Sequence, residues 1–212
     1  DISSIGINFD EWTINDGIST NNAAVFWMDP AQGPSTSTVV LAQVTVATGS
    51  GGQAAAVLQG RSSGDAEDWS MATSWDLSGG TAGPAPPPTP PPTPPPPPTP
   101  PPSPAGDNVV IVATDGITGM TTYQLTYSLD ASQANVYAMA GTVDTAMSIP
   151  RAFQVATPFG ADIGGVSPAF FALSADSEFD SWLTVGVTDA TAVSDISSIG
   201  INFDEWTIND GI

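Results

Sequence analysis

Residues 122–129, TYQLTYSL, decide the fold class, because apolar and polar side chains alternate strictly along them. Four aromatic or aliphatic side chains share one face: Tyr123, Leu125, Tyr127 and Leu129. Four hydroxyl or amide side chains share the other: Thr122, Gln124, Thr126 and Ser128. A period of two residues matches a β-strand, in which successive side chains point to opposite faces. The segment therefore predicts a half-buried strand.

Similar strand signals recur on both sides of this segment, separated by Gly, Asp, Ser and Pro turns. They lie at 23–29, 39–47, 54–60, 108–114, 134–140, 152–156, 169–174, 181–189 and 199–206. Short strands at such spacing indicate two packed sheets rather than alternating strands and helices. The sequence contains no convincing amphipathic helix, and residues 174–180 would give at most one turn. We predict an all-β chain with immunoglobulin-like or jelly-roll-like β-sandwich bodies.

The chain also repeats itself, since residues 1–18, DISSIGINFDEWTINDGI, recur without change as residues 195–212. Identity of this length predicts a tandem array, whose period is 195 − 1 = 194 residues. A repeat sequence assigned by consensus would give the same identity. In a continuous array, residues 107–194 lead directly into the next copy of residues 1–82. These two segments together would then form the folded body.

We expect both copies of the repeated segment to be one structural element, a strand with Ile5, Ile7 and Phe9 on one side. The candidate assembly residues are Ile5, Ile7, Phe9, Trp12, Ile199, Ile201, Phe203 and Trp206. An isolated half of the body would leave strand edges and apolar surface unpaired. The adjoining unit would complete it, by covalent continuity, which we favour, or by strand donation between protomers. Either route predicts self-association into a linear or helical fibril.

Residues 84–104, PAPPPTPPPTPPPPPTPPPSP, contain 16 prolines among 21 residues. Proline fixes φ near −65° and makes the preceding residue extended, so this proline-rich segment favours a polyproline II helix. At roughly 3.1 Å per residue it would form a semi-rigid rod of about 65 Å. We therefore predict a β-sandwich portion at 1–82, a polyproline II linker at 83–106 and a second β-sandwich portion at 107–212.

The proline-rich segment resembles hydroxyproline-rich glycoproteins of plant and algal surfaces, the extensin-like and mastigoneme-like chains. In that family contiguous prolines are hydroxylated and carry arabinose chains, while neighbouring Ser or Thr residues carry galactose. The resemblance implies glycosylation at Pro86, Pro87, Pro88, Thr89, Pro90, Pro91, Pro92, Thr93, Pro94, Pro95, Pro96, Pro97, Pro98, Thr99, Pro100, Pro101, Pro102 and Ser103. The segment lacks the Tyr and Lys cross-linking motifs of extensins, which puts covalent wall cross-linking in doubt. A bare spacer and an SH3-type ligand stay open as alternatives.

Three stretches of the β portions resemble repeats in large secreted proteins of microalgae and related protists. They are NAAVFWMDPAQGP at 22–34, PRAFQVATPFGADIGGVSPAFFALS at 150–174 and FDSWLTVGVTD at 179–189. Together with the repeat and the proline-rich segment, they make the chain similar to a tandem-repeat glycoprotein, of the mastigoneme or environmental glycofibril kind. The resemblance implies an extracellular location: secreted, at the cell surface or in a flagellar filament. It implies no chemistry.

The composition is strongly acidic, with 22 Asp or Glu against 2 Lys or Arg and a formal net charge of −20. Such a surface repels nucleic acids and anionic membranes, so we predict neither as a partner. The chain has no Cys and no His. Catalytic triads, cysteine nucleophiles and zinc sites of the common kinds therefore lack an essential residue. A carboxylate pair for glycoside hydrolysis stays compatible with the composition, but we expect no enzyme.

Acidic loops at 65–68, 115–116 and 160–165 contain the oxygen ligands that calcium prefers, without an EF-hand pattern. Solvated turns explain these loops equally well, because Asp and Gly dominate turns. We therefore name no metal ligand and no cofactor, and leave calcium open. Arg61 and Arg151 are expected to pair with carboxylates or to cover apolar surface.

The sequence is compatible with two functions: a structural unit of an extracellular fibril, and an adhesin or carbohydrate-binding stalk. The motifs FDSW at 179–182 and FDEW at 203–206, with Trp69 and Trp75, could stack on sugar rings. Core anchors are the commoner role of such residues. Exposed Trp side chains on one open face would favour binding, whereas buried ones would favour assembly.

Overall fold

The computed structural model describes residues 2–64, 67–79, 81–82 and 106–190. Its strands are β1 (Ile2–Ile5), β2 (Ile18–Thr20), β3 (Ala23–Trp27), β4 (Thr38–Ala47), β5 (Gln53–Gly60), β6 (Trp69–Asp76), β7 (Thr81–Ala82), β8 (Gly106–Thr114), β9 (Met120–Ser128), β10 (Ala138–Gly141), β11 (Met147–Ile149) and β12 (Trp182–Leu183). Short 3-10 helices span Phe9–Glu11, Pro30–Gln32, Leu77–Gly79, Pro168–Phe170 and Ala175–Phe179. The all-β prediction is confirmed. Within the described ranges, no helix has the length and hydropathy to span a membrane.

The first sheet contains seven antiparallel strands. Strand β10 pairs with both β3 and β5, while β11 pairs with β2 and β5. Strands β2 and β3 therefore form one interrupted row, and β10 and β11 form the next. Strand β1 lies outside β3 at one edge, and β6 lies outside β5 at the other.

The second sheet has the order β12-β4-β9-β8-β7 and is antiparallel except for the parallel pair of β7 and β8. Leu41 is an extra residue in β4, because Val40 pairs with Thr126 and Ala42 with Leu125. Such a bulge shifts the side-chain alternation by one residue. Both Leu41 and Ala42 are fully buried as a result.

Both sheets contribute side chains to one hydrophobic core, including Val25, Leu58 and Met139 from the first and Val44 and Leu125 from the second. The N-terminal part (residues 2–82) and the C-terminal part (residues 106–190) interleave in both sheets, since β10 separates β3 from β5 and β9 pairs with β4. The shared core fits the predicted sandwich, which stays a prediction. The polyproline II rod lies outside the described residues.

The stretch TYQLTYSL forms most of β9, as predicted, but both of its faces are covered. Thr122, Thr126 and Ser128 are as buried as the aromatic face. The Oγ1 atoms of Thr45 and Thr122 lie 2.8 Å apart, and that of Thr45 also donates to the carbonyl oxygen of Phe179. Residues just before β12 therefore cover part of the polar face of β9, which the alternating pattern predicts to be exposed.

Two predicted strands are wrong, because 152–156 is irregular and 169–174 holds a 3-10 helix and a turn. In the first, Ala152 N donates to Thr13 O, Phe153 N to Thr45 O and Val155 N to the Asp180 carboxylate. Because these backbone N–H groups donate to acceptors in separate segments, the stretch forms no regular ladder of hydrogen bonds between strands. The predicted strand at 181–189 shrinks to β12, as Gly186 adopts a φ of 84°.

Of the strand predicted at 134–140, only residues 138–140 belong to β10. The strand predicted at 199–206 lies outside the described residues. Strands β2, β6, β7 and β11 went unpredicted, whereas β1 overlaps the strand predicted in residues 1–18. Strands β2, β7 and β11 are two or three residues long, too short for alternation to be recognised.

Candidate assembly site

Within the N-terminal segment (residues 1–18), Ile2–Ile5 form the edge strand β1 of the first sheet. Ile2 pairs with Trp27 and is fully buried, as is Ser3. Strand β1 ends at Ile5 because Gly6 turns the chain with a φ of 69°. A methyl group at Gly6 would lie 2.3 Å from the carbonyl oxygen of Asn22, so no larger residue fits without a backbone shift.

This turn corrects the predicted strand with Ile5, Ile7 and Phe9 on one side. Ile5 is 41% exposed at the end of β1, whereas Ile7 lies beyond the turn. Phe9 begins a 3-10 helix. Ile7 and Phe9 still pack against the core as half-buried side chains, so hydrophobicity predicted their packing but not their conformation.

Trp12 is the anchor of the segment, with 1% of its surface exposed. Its indole Nε1 donates to the carbonyl oxygen of Pro150 at 2.9 Å. The neighbouring Thr13 carbonyl accepts from Ala152 N at 2.8 Å. A buried tryptophan with its N–H satisfied combines a large apolar contact with a directional bond.

The segment ends at β2, where Ile18 pairs with Ile149. Gly17 passes so close to the other chain portion that a methyl group there would lie 2.4 Å from the Ile149 carbonyl oxygen. Contacts through Trp12, Thr13 and Ile18 all go to residues 149–152. The N-terminal segment therefore fills a slot made by β3 and by the C-terminal part of the chain.

Four of the eight predicted assembly residues contribute to this slot in different ways, with Trp12 buried, Ile7 and Phe9 half-buried and Ile5 exposed. Their counterparts Ile199, Ile201, Phe203 and Trp206 lie outside the described residues, as do the predicted glycosylation positions 86–103. Sequence reasoning missed Ile2, Gly17 and Pro150. Only the first had a signal, since it is the first apolar residue of the repeated segment.

The described tryptophans are structural anchors. Trp75 and Trp182 are buried, and Trp75 Nε1 donates to Thr126 O at 2.8 Å, which joins the two sheets. Trp27 Nε1 donates to Val185 O. Trp69 is half-buried, stacks on Tyr127 with ring centroids 5.8 Å apart and donates to Arg61 O. These indoles form no open aromatic platform.

Asp180 is a buried carboxylate that sequence reasoning missed, although it belongs to the FDSW motif. It is 0% exposed, and its two oxygens accept from Val155 N and Ala161 N, each at 2.7 Å. Burial raises the pKa of Asp180 to about 6 although these backbone N–H groups favour the charged form. Nothing in its local sequence distinguishes it from a surface aspartate.

The two cations differ in their surroundings. Arg61 forms an ion pair with Asp68 at 3.1 Å on the surface, and so pairs with a carboxylate as predicted. Arg151 lines an open cleft of about 350 Å³ beside the N-terminal segment, together with Ile14, Met120 and Phe153. In the part of the chain that the structure describes, no three acidic side chains converge as a metal site would require.

Comparison with known proteins gives no relative. No protein-family model, curated protein or solved structure matches this chain.

Proposed function

We propose that this chain is a structural repeat unit of an extracellular glycoprotein fibril, assembled end to end. The observation that carries the proposal concerns the 18 residues that the sequence repeats. They are the residues that fill the slot between β3 and residues 149–152. A second copy of the same sequence can fill the same slot in another body, and so join two units.

Burial in this slot would contribute free energy to such a join. Burial of Ile2, Trp12 and Ile18 contributes about 1.5–3 kcal/mol for each side chain. Strand β1 adds main-chain hydrogen bonds at a sheet edge, the way in which extended segments commonly bind to sheets. Neighbouring units would share this strand, through a continuous polypeptide or by donation.

The remaining sequence features suit a fibril outside the cell. The proline-rich segment would be a stiff spacer with arabinose and galactose attached to its hydroxyproline, Thr and Ser residues. A net charge of −20 would limit lateral clumping of fibres. The buried tryptophans support assembly rather than the adhesin alternative, which no observation in the described residues favours.

The slot is tested by variants in both copies of the repeated segment. We expect Trp12→Ala and Trp206→Ala to be tolerated singly, because the intact copy can occupy the slot. The double variant should lose about 3–5 kcal/mol of unfolding free energy and form no filaments. The paired control Ile14→Ala with Ile208→Ala should change little, since Ile14 is 52% exposed.

Urea denaturation, sedimentation velocity and negative-stain electron microscopy of the full chain measure these outcomes. A wild-type chain that stays monomeric at every concentration would contradict the fibril. Equal destabilisation by Trp12→Ala alone and by the double variant would contradict the equivalence of the two copies. Mass spectrometry of the native protein tests the glycans, and an unmodified 84–104 peptide would contradict them.

A further inference from the structure

The exit and re-entry points of the proline-rich segment lie close together on the same sheet edge. Strand β7 runs parallel to β8, with Thr81 opposite Val110 and Ala82 opposite Ile111. Gly106 precedes Ile111 by five positions. At about 3.3 Å per residue along a strand and about 4.8 Å between strands, Ala82 and Gly106 are roughly 17 Å apart.

The chemistry of the intervening residues opposes so short a closure. In residues 84–104 every position is either a proline or the residue before a proline. Both kinds of position are restricted to extended or polyproline II geometry. A segment of 21 such residues favours an end-to-end distance of about 65 Å, nearly four times the separation that it would have to bridge.

The end of the C-terminal part lies close to the start of the N-terminal part. Trp27 Nε1 donates to Val185 O at 2.8 Å, and Trp27 pairs with Ile2 in the sheet. Val185 and Ile2 therefore lie within roughly 15 Å of each other. In the repeat, Ile196 is the counterpart of Ile2, and the eleven positions from 185 to 196 can reach about 36 Å.

We propose that each body is built from two consecutive repeats: the C-terminal part (106–190) of one and the N-terminal part (2–82) of the next. The short connection through 186–195 lies within a body, and the proline-rich segment runs from one body to the following one. The partner that completes the fold is thus a second copy of this sequence. The inference rests on the proposed fibril and specifies how its units join.

Cysteine pairing tests this exchange, because the chain has no cysteine of its own. Thr38 in β4 pairs with Ser128 in β9, and their hydroxyl oxygens lie 3.3 Å apart. The flanking pair is hydrogen-bonded, since Leu129 N donates to Ser37 O, so residues 38 and 128 form a close pair suited to a disulfide. One position belongs to each part of the chain.

A full-length chain with Thr38→Cys is mixed, before refolding, with a differently tagged chain carrying Ser128→Cys. We expect the mixed disulfide between the two chains to be the main oxidised product. The double variant in one chain should give a covalent ladder of oligomers. A fast-migrating monomer from the double variant, with no mixed disulfide from the pair, would overturn the exchange.

The matched control replaces residues 84–104 with a Gly/Ser sequence of equal length, whose root-mean-square span of roughly 25 Å allows closure within one chain. This variant should form the intrachain disulfide and remain monomeric. These measurements distinguish a failure of the exchange from a failure of the fibril. Filaments without a mixed disulfide would refute the exchange alone, while a mixed disulfide in short oligomers without filaments would refute the fibril alone.

Discussion

At the scale of single residues, this protein places polar groups in its interior and satisfies them with backbone partners from distant positions. Gln43 Nε2 donates to the carbonyl oxygens of Glu178 and Asp180, and Trp75 Nε1 donates to Thr126 O. Buried polar groups left unpaired would cost several kcal/mol, so each such pair specifies one arrangement of the chain. Asp180 is the extreme case, because it is buried and ionisable.

Asp180 should make stability fall as the pH rises through about 6. Its pKa is raised from 3.8 to about 6 by burial, so between these values the folded chain holds a proton that the unfolded chain has released. Its contribution to the unfolding free energy is therefore complete below the unfolded pKa, and about 3 kcal/mol is lost by neutral pH. Urea denaturation between about pH 4 and pH 7 measures this slope.

The variant Asp180→Asn is the reference for that titration, because the rest of the acidic surface titrates in the same way in both chains. We expect the difference in unfolding free energy between the two chains to vary between about pH 4 and pH 6 and to level off above. A difference that stays constant over this interval would show that Asp180 titrates normally in the folded state.

At the scale of elements, turns and bulges decide where each strand ends and which face it presents. The side-chain pattern predicted β3, β4, β5, β8 and β9, but missed β6, although that strand is eight residues long. It failed for the edge strand β1, which a glycine turn ends after four residues. It also failed for 152–156, because those backbone donors bind partners in three separate segments.

The turn at Gly6 is testable against a glycine of similar conformation. Gly6 and Gly49 have φ values of 69° and 74°, but a methyl group at Gly49 would meet nothing within 4 Å. Gly49→Ala should cost about 1 kcal/mol, the penalty of left-handed backbone. Gly6→Ala, made together with Gly200→Ala in the second copy, should cost about 3 kcal/mol or more, because backbone atoms must move.

Chemical denaturation of the two variants gives both values. Similar losses of unfolding free energy in the Gly6 and Gly49 variants would mean that the edge strand tolerates displacement from Asn22.

At the scale of the whole molecule, charge acts against compactness. The 22 Asp and Glu residues are opposed by only two arginines, and one of these is paired with Asp68. Like charges on one surface repel, and the repulsion extends over a Debye length of about 30 Å at 0.01 M salt but only about 8 Å at 0.15 M. The folded body should therefore depend on the ionic strength.

Raising NaCl from about 0.01 M to 0.15 M should raise the melting temperature by about 2–4 °C, which corresponds to about 1 kcal/mol for a chain of this size. Calorimetry in NaCl, KCl and CaCl₂ at equal ionic strength separates screening from specific binding. Equal shifts in all three salts would indicate screening alone, and an extra shift in CaCl₂ would indicate a calcium site. No response to salt would contradict charge repulsion as a destabilising factor.

The amino-acid sequence by itself determined the all-β class, the repeat and the positions of β3, β4, β5, β8 and β9. The class and the strand positions follow from local geometry, namely side-chain alternation and turn residues. Only the tertiary structure decided that Asp180 is buried, that the polar face of β9 is covered and that Trp12 bonds to Pro150. These outcomes depend on contacts such as the last, between residues 138 positions apart, which no local pattern contains.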